Sequence, residues 1–97
     1  MRHFHRTHIP ADEVLALADE FFPSLGLTRT KDGSRDRSYV GPLGSVALTV
    51  RAEGGHYTLI EVETDQVGES RLDRNVKRYF VKVHRVAEPW HRLEAAY

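Results

Sequence analysis

Two histidines near the start of the chain have the spacing of a metal site. His3 and His5 stand two positions apart, and on a β-strand that spacing puts both imidazoles on one face, where they can reach the same metal ion. A complete site needs further ligands, for which His56 or a carboxylate across a sheet would be candidates. Nothing in the sequence places such a ligand there, so we interpret the pair as part of a solvated terminal strand and expect no metal ion and no cofactor.

Three carboxylates offer a second possibility for chemistry. Glu61, Glu63 and Asp65 alternate along one predicted strand, and neighbouring acids on one face can raise each other's pKa, as acid–base catalysis requires. Exposed acids in such a row more often keep a surface soluble. The chain has no cysteine, and its glycine pairs resemble hairpin turns rather than a phosphate-binding loop. We therefore assign no catalytic residue.

Five basic residues in the last third of the chain follow helical spacing. On a helix from Ser70 to Ala87 they would share an arc of about 80°; they are Arg71, Arg74, Arg78, Lys82 and Arg85. This row is the candidate anion-binding site, for nucleic acid, a lipid surface or an acidic protein patch. A solvated helix face is the simplest alternative, and the net charge of zero disfavours nucleic acid.

The opposite side of the same helix is apolar over about 120° of arc. Ser70 is a suitable N-cap for this helix, and Pro89 predicts a kink or stop near Glu88, with a short second helix from Pro89 to Ala96. The residues on this apolar side include Leu72, Val76, Tyr79, Phe80 and Val83.

The remaining patterns predict a sheet on which this helix can lie. Pro10 to Pro23 has a helical apolar face and an acidic first turn, and Asp32-Gly33-Ser34 is a hairpin signal. Alternating segments predict five strands, at Arg2–Ile9, Leu27–Lys31, Arg35–Val40, Ser45–Glu53 and Tyr57–Asp65. The expected fold is α+β: an antiparallel sheet in the order β-α-β-β-β-β-α, with both helices on one face and a long C-terminal helix.

Length and composition indicate an ordinary globular protein. The 97 residues suit a single domain, residues 1–97, with one modest core. No apolar run approaches the roughly 20 residues that span a bilayer, and the polar start does not resemble a signal peptide. The absence of cysteine suits a reducing compartment. We expect a cytoplasmic protein without a membrane partner.

The run Ile9-Pro10-Ala11-Asp12-Glu13-Val14 resembles the junction between the first strand and helix in the polyketide-cyclase/START-like helix-grip superfamily. The long last helix after a meander is similar too. The resemblance implies a hydrophobic small molecule held between sheet and last helix. On this chain its candidate pocket residues would be those on the apolar side of the last helix: Leu72, Val76, Tyr79, Phe80 and Val83. The element order also resembles one half of a TATA-binding protein, whose sheet face meets DNA, although Glu61, Glu63 and Asp65 would repel phosphate on that face.

Together these patterns favour a small binding or interaction module that holds an apolar ligand under the last helix. The alternatives are a minimal cyclase, lyase or hydrolase in the same pocket, or anion and nucleic-acid binding through the basic row. We also expect a homodimer, because the outer sheet face would expose an apolar strip of Ala47, Thr49, Tyr57 and Leu59. Pairing of the acidic strand with the basic row of another copy is a second route to it.

Overall fold

The protein is described by a computed structural model that covers residues 1–88. Its elements are β1 (Arg2–Thr7), α1 (Ala11–Ser24), β2 (Thr28–Lys31), β3 (Asp36–Gly41), β4 (Gly44–Glu53), β5 (Tyr57–Thr64) and α2 (Arg71–Ala87). The expected α+β order, β-α-β-β-β-β-α with a long C-terminal helix, is confirmed. The tail helix expected from Pro89 to Ala96 lies outside the described residues.

All five strands form one antiparallel sheet in the order β1-β5-β4-β3-β2. The four later strands follow one another as hairpins, and β1 pairs with β5, so that Arg2 lies opposite Glu63 and Thr7 opposite Thr58. The β3–β4 hairpin has a two-residue loop, and Gly41 at its start lies against another segment: a Cβ there would come within 2.7 Å of the Gly26 carbonyl oxygen. Only glycine fits this approach.

One face of the sheet carries the core. Alternate residues of the two central strands are buried, such as Val46, Leu48 and Val50 of β4, and they join the buried residues of both helices in one cluster. Both helices therefore cover the same face. Helix α1 packs on β3 and β4, whereas α2 packs on β1 and β5.

The two helices meet at a group of aromatic rings. The Tyr79 ring of α2 lies 5.8 Å from the Phe21 ring and 5.2 Å from the Phe22 ring. Its hydroxyl donates a 2.8 Å hydrogen bond to the Val14 carbonyl oxygen of α1, which satisfies the only polar group of a fully buried side chain. Phe22 also stacks on Tyr39 of β3 at 5.1 Å, which ties the helix layer to the sheet.

Truncating this aromatic group tests the packing. Phe22→Ala should lower the free energy of unfolding by about 3 to 5 kcal/mol, because a fully buried ring is lost and leaves a cavity. Lys82→Ala, on the exposed side of α2, should change it by less than about 0.5 kcal/mol. Urea unfolding followed by circular dichroism measures both, and equal midpoints for the two variants would contradict the packing described here.

Candidate interaction surface on the helix layer

The predicted basic row forms on α2 and faces solvent. Ser70 caps the helix, because its hydroxyl oxygen accepts a 3.0 Å hydrogen bond from the Asp73 amide. Because the apolar side of α2 is buried, the opposite, basic side faces solvent. All members of the row are exposed: Arg71, Arg74, Arg78, Lys82 and Arg85. At 1.5 Å per residue the row is about 21 Å long. We call it the cationic row.

No member of the cationic row has a carboxylate within 4 Å among residues 1–88. The contrast with the other bases is sharp, because seven of them form ion pairs: Arg2, Arg6, Arg29, Lys31, Arg37, Arg51 and Lys77. Arg35, in the loop before β3, is the other unpaired base of the described part of the chain. The unpaired positive charge is therefore concentrated on one face of one helix.

Helix α1 carries the opposite charge. Asp12, Glu13 and Glu20 are exposed and share an arc of about 100° opposite the buried side of the helix. In the described residues none of the three has a basic partner within 4 Å, and α1 contains no Lys or Arg. We call these three carboxylates the acidic row. Both helices cover one sheet face, so both rows point away from the sheet on the same side of the molecule.

An open groove separates the end of α1 from the second half of α2. Its volume is about 880 Å³, and its walls combine apolar and basic side chains: Phe21, Ser24, Arg78, Val81, Lys82, Arg85 and Val86. Three of these residues belong to the cationic row. Val86 is 45 % exposed although it follows the apolar spacing of α2, so the groove presents apolar surface beside positive charge.

The residues expected to line a ligand pocket lie inside the core instead of at an opening. Leu72, Val76, Tyr79 and Val83 have no exposed surface. Phe80 is half-buried and packs against the cluster, with its ring stacked on His5 at 5.1 Å. In this conformation these side chains contact one another and the sheet, and a ligand between sheet and helix would have to displace them.

The two histidines of β1 point under α2 and not into solvent, which corrects our interpretation of a solvated pair. His3 Nε2 lies 2.8 Å from Asp73 Oδ1, and the His3 side chain is only 10 % exposed. For His5, burial and then the nearby His84 lower the pKa of the imidazole. Residues 1–88 contain no group of three or more His, Cys, Asp or Glu residues that could hold a metal ion.

Asp73 is the centre of a buried polar network that joins α2 to the sheet. Its Oδ1 accepts a 2.8 Å hydrogen bond from the Thr64 hydroxyl, and its Oδ2 accepts a 2.6 Å bond from the Ser70 hydroxyl. Burial alone would raise the pKa of this carboxyl, but the hydrogen bonds from Ser70, His3 and Thr64 hold it below its ordinary value. A serine nucleophile is activated by a hydrogen bond to a base such as histidine. Here the Ser70 hydroxyl bonds to Asp73 and not to His3, so this arrangement fits capping and packing of α2.

The outer face of the sheet differs from the predicted apolar strip. Leu59 points to this face, yet it is only 3 % exposed, because its register partners Arg6 and Arg51 flank it with long side chains. Ala47 and Thr49 are exposed and Tyr57 is 46 % exposed. The strip is therefore interrupted at its centre.

The acids of β5 are paired across the sheet. Glu61 lies 3.5 Å from Arg51, and Glu63 lies 3.9 Å from Arg2. Asp65 accepts a hydrogen bond from the Ser45 amide, the largest cause of its lowered pKa. Glu61 and Glu63 thus have basic partners within the chain, which weakens the case for pairing of that strand with the basic row of another copy.

The structure contains a further, partly buried contact that the sequence did not reveal. Asp19 on α1 accepts a 2.7 Å hydrogen bond from the Tyr39 hydroxyl and lies 3.1 Å from both Arg37 and Arg29. The signal was present, since Asp19 lies four residues after Leu15 and three before Phe22, on the margin of the buried face. Asp73 holds the same marginal position on α2, three residues before the buried Val76.

Comparison with known proteins adds no assignment, since no protein family matches the chain and no curated protein is significantly similar to it. Within residues 1–88, neither helix has the length and apolar character needed to cross a membrane.

The Asp73 network predicts a pH-dependent stability. Asp73→Asn should lower the free energy of unfolding at pH 7 by about 2 kcal/mol, since a buried, charge-assisted network loses its negative charge and one of its two acceptor oxygens. The pKa of Asp73 is depressed in the folded state, so its contribution is present above the unfolded value of about 3.9 and is lost as the pH falls through the folded value.

Urea unfolding at pH 7 and pH 3 provides the measurement. The difference between wild type and Asp73→Asn should shrink at the lower pH. Asp12→Asn, which changes an exposed acid of α1, is the matched control and should change stability by less than about 0.5 kcal/mol. A difference that stays constant between the two pH values would contradict this role for the Asp73 charge.

Proposed function

We propose that the protein is an interaction module that binds an acidic surface of a protein molecule through the cationic row of α2. The observation that carries the proposal is the charge pairing. Seven Lys and Arg side chains elsewhere have carboxylate partners, whereas the five of the cationic row have none in the described part of the chain. A cytoplasmic location remains part of this proposal.

The cationic row contributes little to the packing of the fold. Like charges three and four residues apart on a helix destabilise it by about 0.2 to 0.5 kcal/mol per pair, and each of the five side chains is exposed. Such a row contributes instead to association, because a concentrated potential steers an oppositely charged partner and fixes its orientation. The adjoining groove supplies apolar contact area beside the charges.

The acidic row favours a protein partner over a nucleic acid or an anionic membrane. A nucleic acid or an anionic membrane laid across the helix layer would contact the cationic row and would also meet Asp12, Glu13 and Glu20 on α1. Those carboxylates repel phosphate. A protein surface can present acids to α2 and other groups to α1, so it fits the layer better.

The other functions expected from the sequence are less well supported. An apolar ligand beneath α2, or a small enzyme in the same space, would need the core around Leu72, Val76, Tyr79 and Val83 to open, since these side chains are fully buried. The likeness to helix-grip proteins stays a hypothesis about ancestry, and binding through the cationic row does not depend on it.

Binding to poly-L-glutamate tests the proposal. A trace of the labelled polymer, titrated with the protein, should show binding by fluorescence anisotropy at about 10 mM salt and lose it at about 1 M, because screening shortens the reach of the charges from about 30 to about 3 Å. Arg78→Glu should weaken binding by about tenfold, since one attraction becomes a repulsion. Arg35→Glu is the matched control, because Arg35 is also exposed and unpaired but lies outside α2.

Two results would overturn the proposal. One is an equal loss of affinity in Arg78→Glu and Arg35→Glu, which would show that net charge alone governs binding. The other is displacement of poly-L-glutamate by oligothymidylate at the same concentration of negative charge, which would identify the row as a nucleic-acid surface.

A further inference from the structure

The helix layer carries nearly all of the unpaired charge of the described chain, and it carries both signs. The cationic row lies on α2 and the acidic row on α1. Elsewhere in residues 1–88, Arg35 and Asp65 are the other Lys, Arg, Asp or Glu side chains without a partner for an ion pair within 4 Å, when the histidine partners of Asp73 and Glu88 are counted. Because the positive charges lie on one helix and the negative charges on the other, the layer is electrostatically complementary to the same layer of a second copy.

The arrangement of the helices allows the two rows to meet across a two-fold axis. The helices are neighbours, joined by the hydrogen bond from Tyr79 to Val14. A two-fold axis that runs between them in the plane of the interface places α1 of one copy over α2 of the other, and the reverse. Each cationic row then faces an acidic row, as the self-complementary patch of a symmetric dimer requires.

The groove would lie near that axis. Its apolar members Phe21, Val81 and Val86 would be covered by the same residues of the second copy, while Arg78, Lys82 and Arg85 lie beside them. Apolar contacts at the centre with charges around them are the usual anatomy of a protein interface. The exposed surface of Val86 is explained by this arrangement.

We infer that the acidic partner of the cationic row is α1 of a second copy, so that the protein forms a symmetric dimer through its helix layer. This inference rests on the proposed function, because it names the partner for the same surface. The net charge of zero at pH 7 favours it, since two copies approach without overall repulsion. It names the helix layer as the surface of self-association in place of the outer sheet face, where the apolar side chains Phe4 and Tyr57 are exposed but the charges of Glu61 and Glu63 have partners within the chain.

A charge-exchange experiment tests the dimer. One variant carries Arg74→Glu and Arg78→Glu on α2, and the other carries Asp12→Lys and Glu20→Lys on α1. Each variant alone places like charges opposite each other at both contacts of a symmetric dimer. A mixture of the two restores opposite charges at both contacts, so only a heterodimer can form. Arg35→Glu is the control with a charge change outside the layer.

Sedimentation equilibrium at about 100 μM protein and about 10 mM salt should show a wild-type dimer that dissociates at about 1 M salt. Arg35→Glu should dimerise like the wild type. Both double variants should be monomeric while circular dichroism shows them folded, and their equimolar mixture should regain a dimer of wild-type mass.

A wild-type monomer at low salt would overturn the inference, as would double variants that still dimerise or a mixture that remains monomeric. Binding of poly-L-glutamate separates this failure from that of the proposed function. A monomer whose α2 binds the polymer retains an acidic protein partner of another kind, whereas a protein that fails both tests has neither.

Discussion

The contact between the two helices at Tyr79 is the constraint on which the rest of the structure depends. A five-stranded sheet of this size needs cover on one face, and neither α1 nor α2 reaches across it alone, since α1 packs on β3 and β4 and α2 on β1 and β5. The Tyr79 ring and its bond to Val14 join the two into one layer. The orientation of that layer determines which side chains remain outside.

Two polar contacts hold the helices to the sheet, and each uses a carboxylate on the margin of a buried face. Asp19 joins α1 to Tyr39, Arg37 and Arg29, and Asp73 joins α2 to His3 and Thr64. Because a buried carboxylate is costly without partners, each contact favours a single position of its helix. Charged side chains on the strands also pair with one another. The charged side chains without such a partner in the described residues therefore lie almost entirely on the exposed sides of α1 and α2. The carboxylates of Asp19 and Asp73 thus hold the helices in position on the sheet, whereas the charges on the outer sides of the helices are available for association with another molecule.

The sequence predicted what depends on periodicity, and it could not predict what depends on register. The apolar face of α2, the exposure of the cationic row, the start after Ser70 and the order of helices and strands along the chain all follow from spacing and turn residues, and all are confirmed. The burial of Leu59 and the pairing of Glu63 with Arg2 require that β1 lie beside β5 in one particular register. Two strands more than 50 positions apart do not reveal that register by their own patterns. For the same reason the contact of His3 with Asp73 could not be foreseen, although the place of Asp73 on the helix margin was readable.

The pairing of β1 with β5 also affects how the chain folds during synthesis. Of the five strands, β1 leaves the ribosome first and its neighbour β5 leaves last, and His3 meets Asp73 only after the start of α2 has followed. At roughly 5 to 20 residues per second, β1 and α1 wait several seconds without the surfaces that cover them. The hairpins from β2 to β5 are local and can form as they appear. Closure of the sheet by its first strand is therefore a late step, and the edge of β5 and the inner face of β1 stay uncovered until that step is complete.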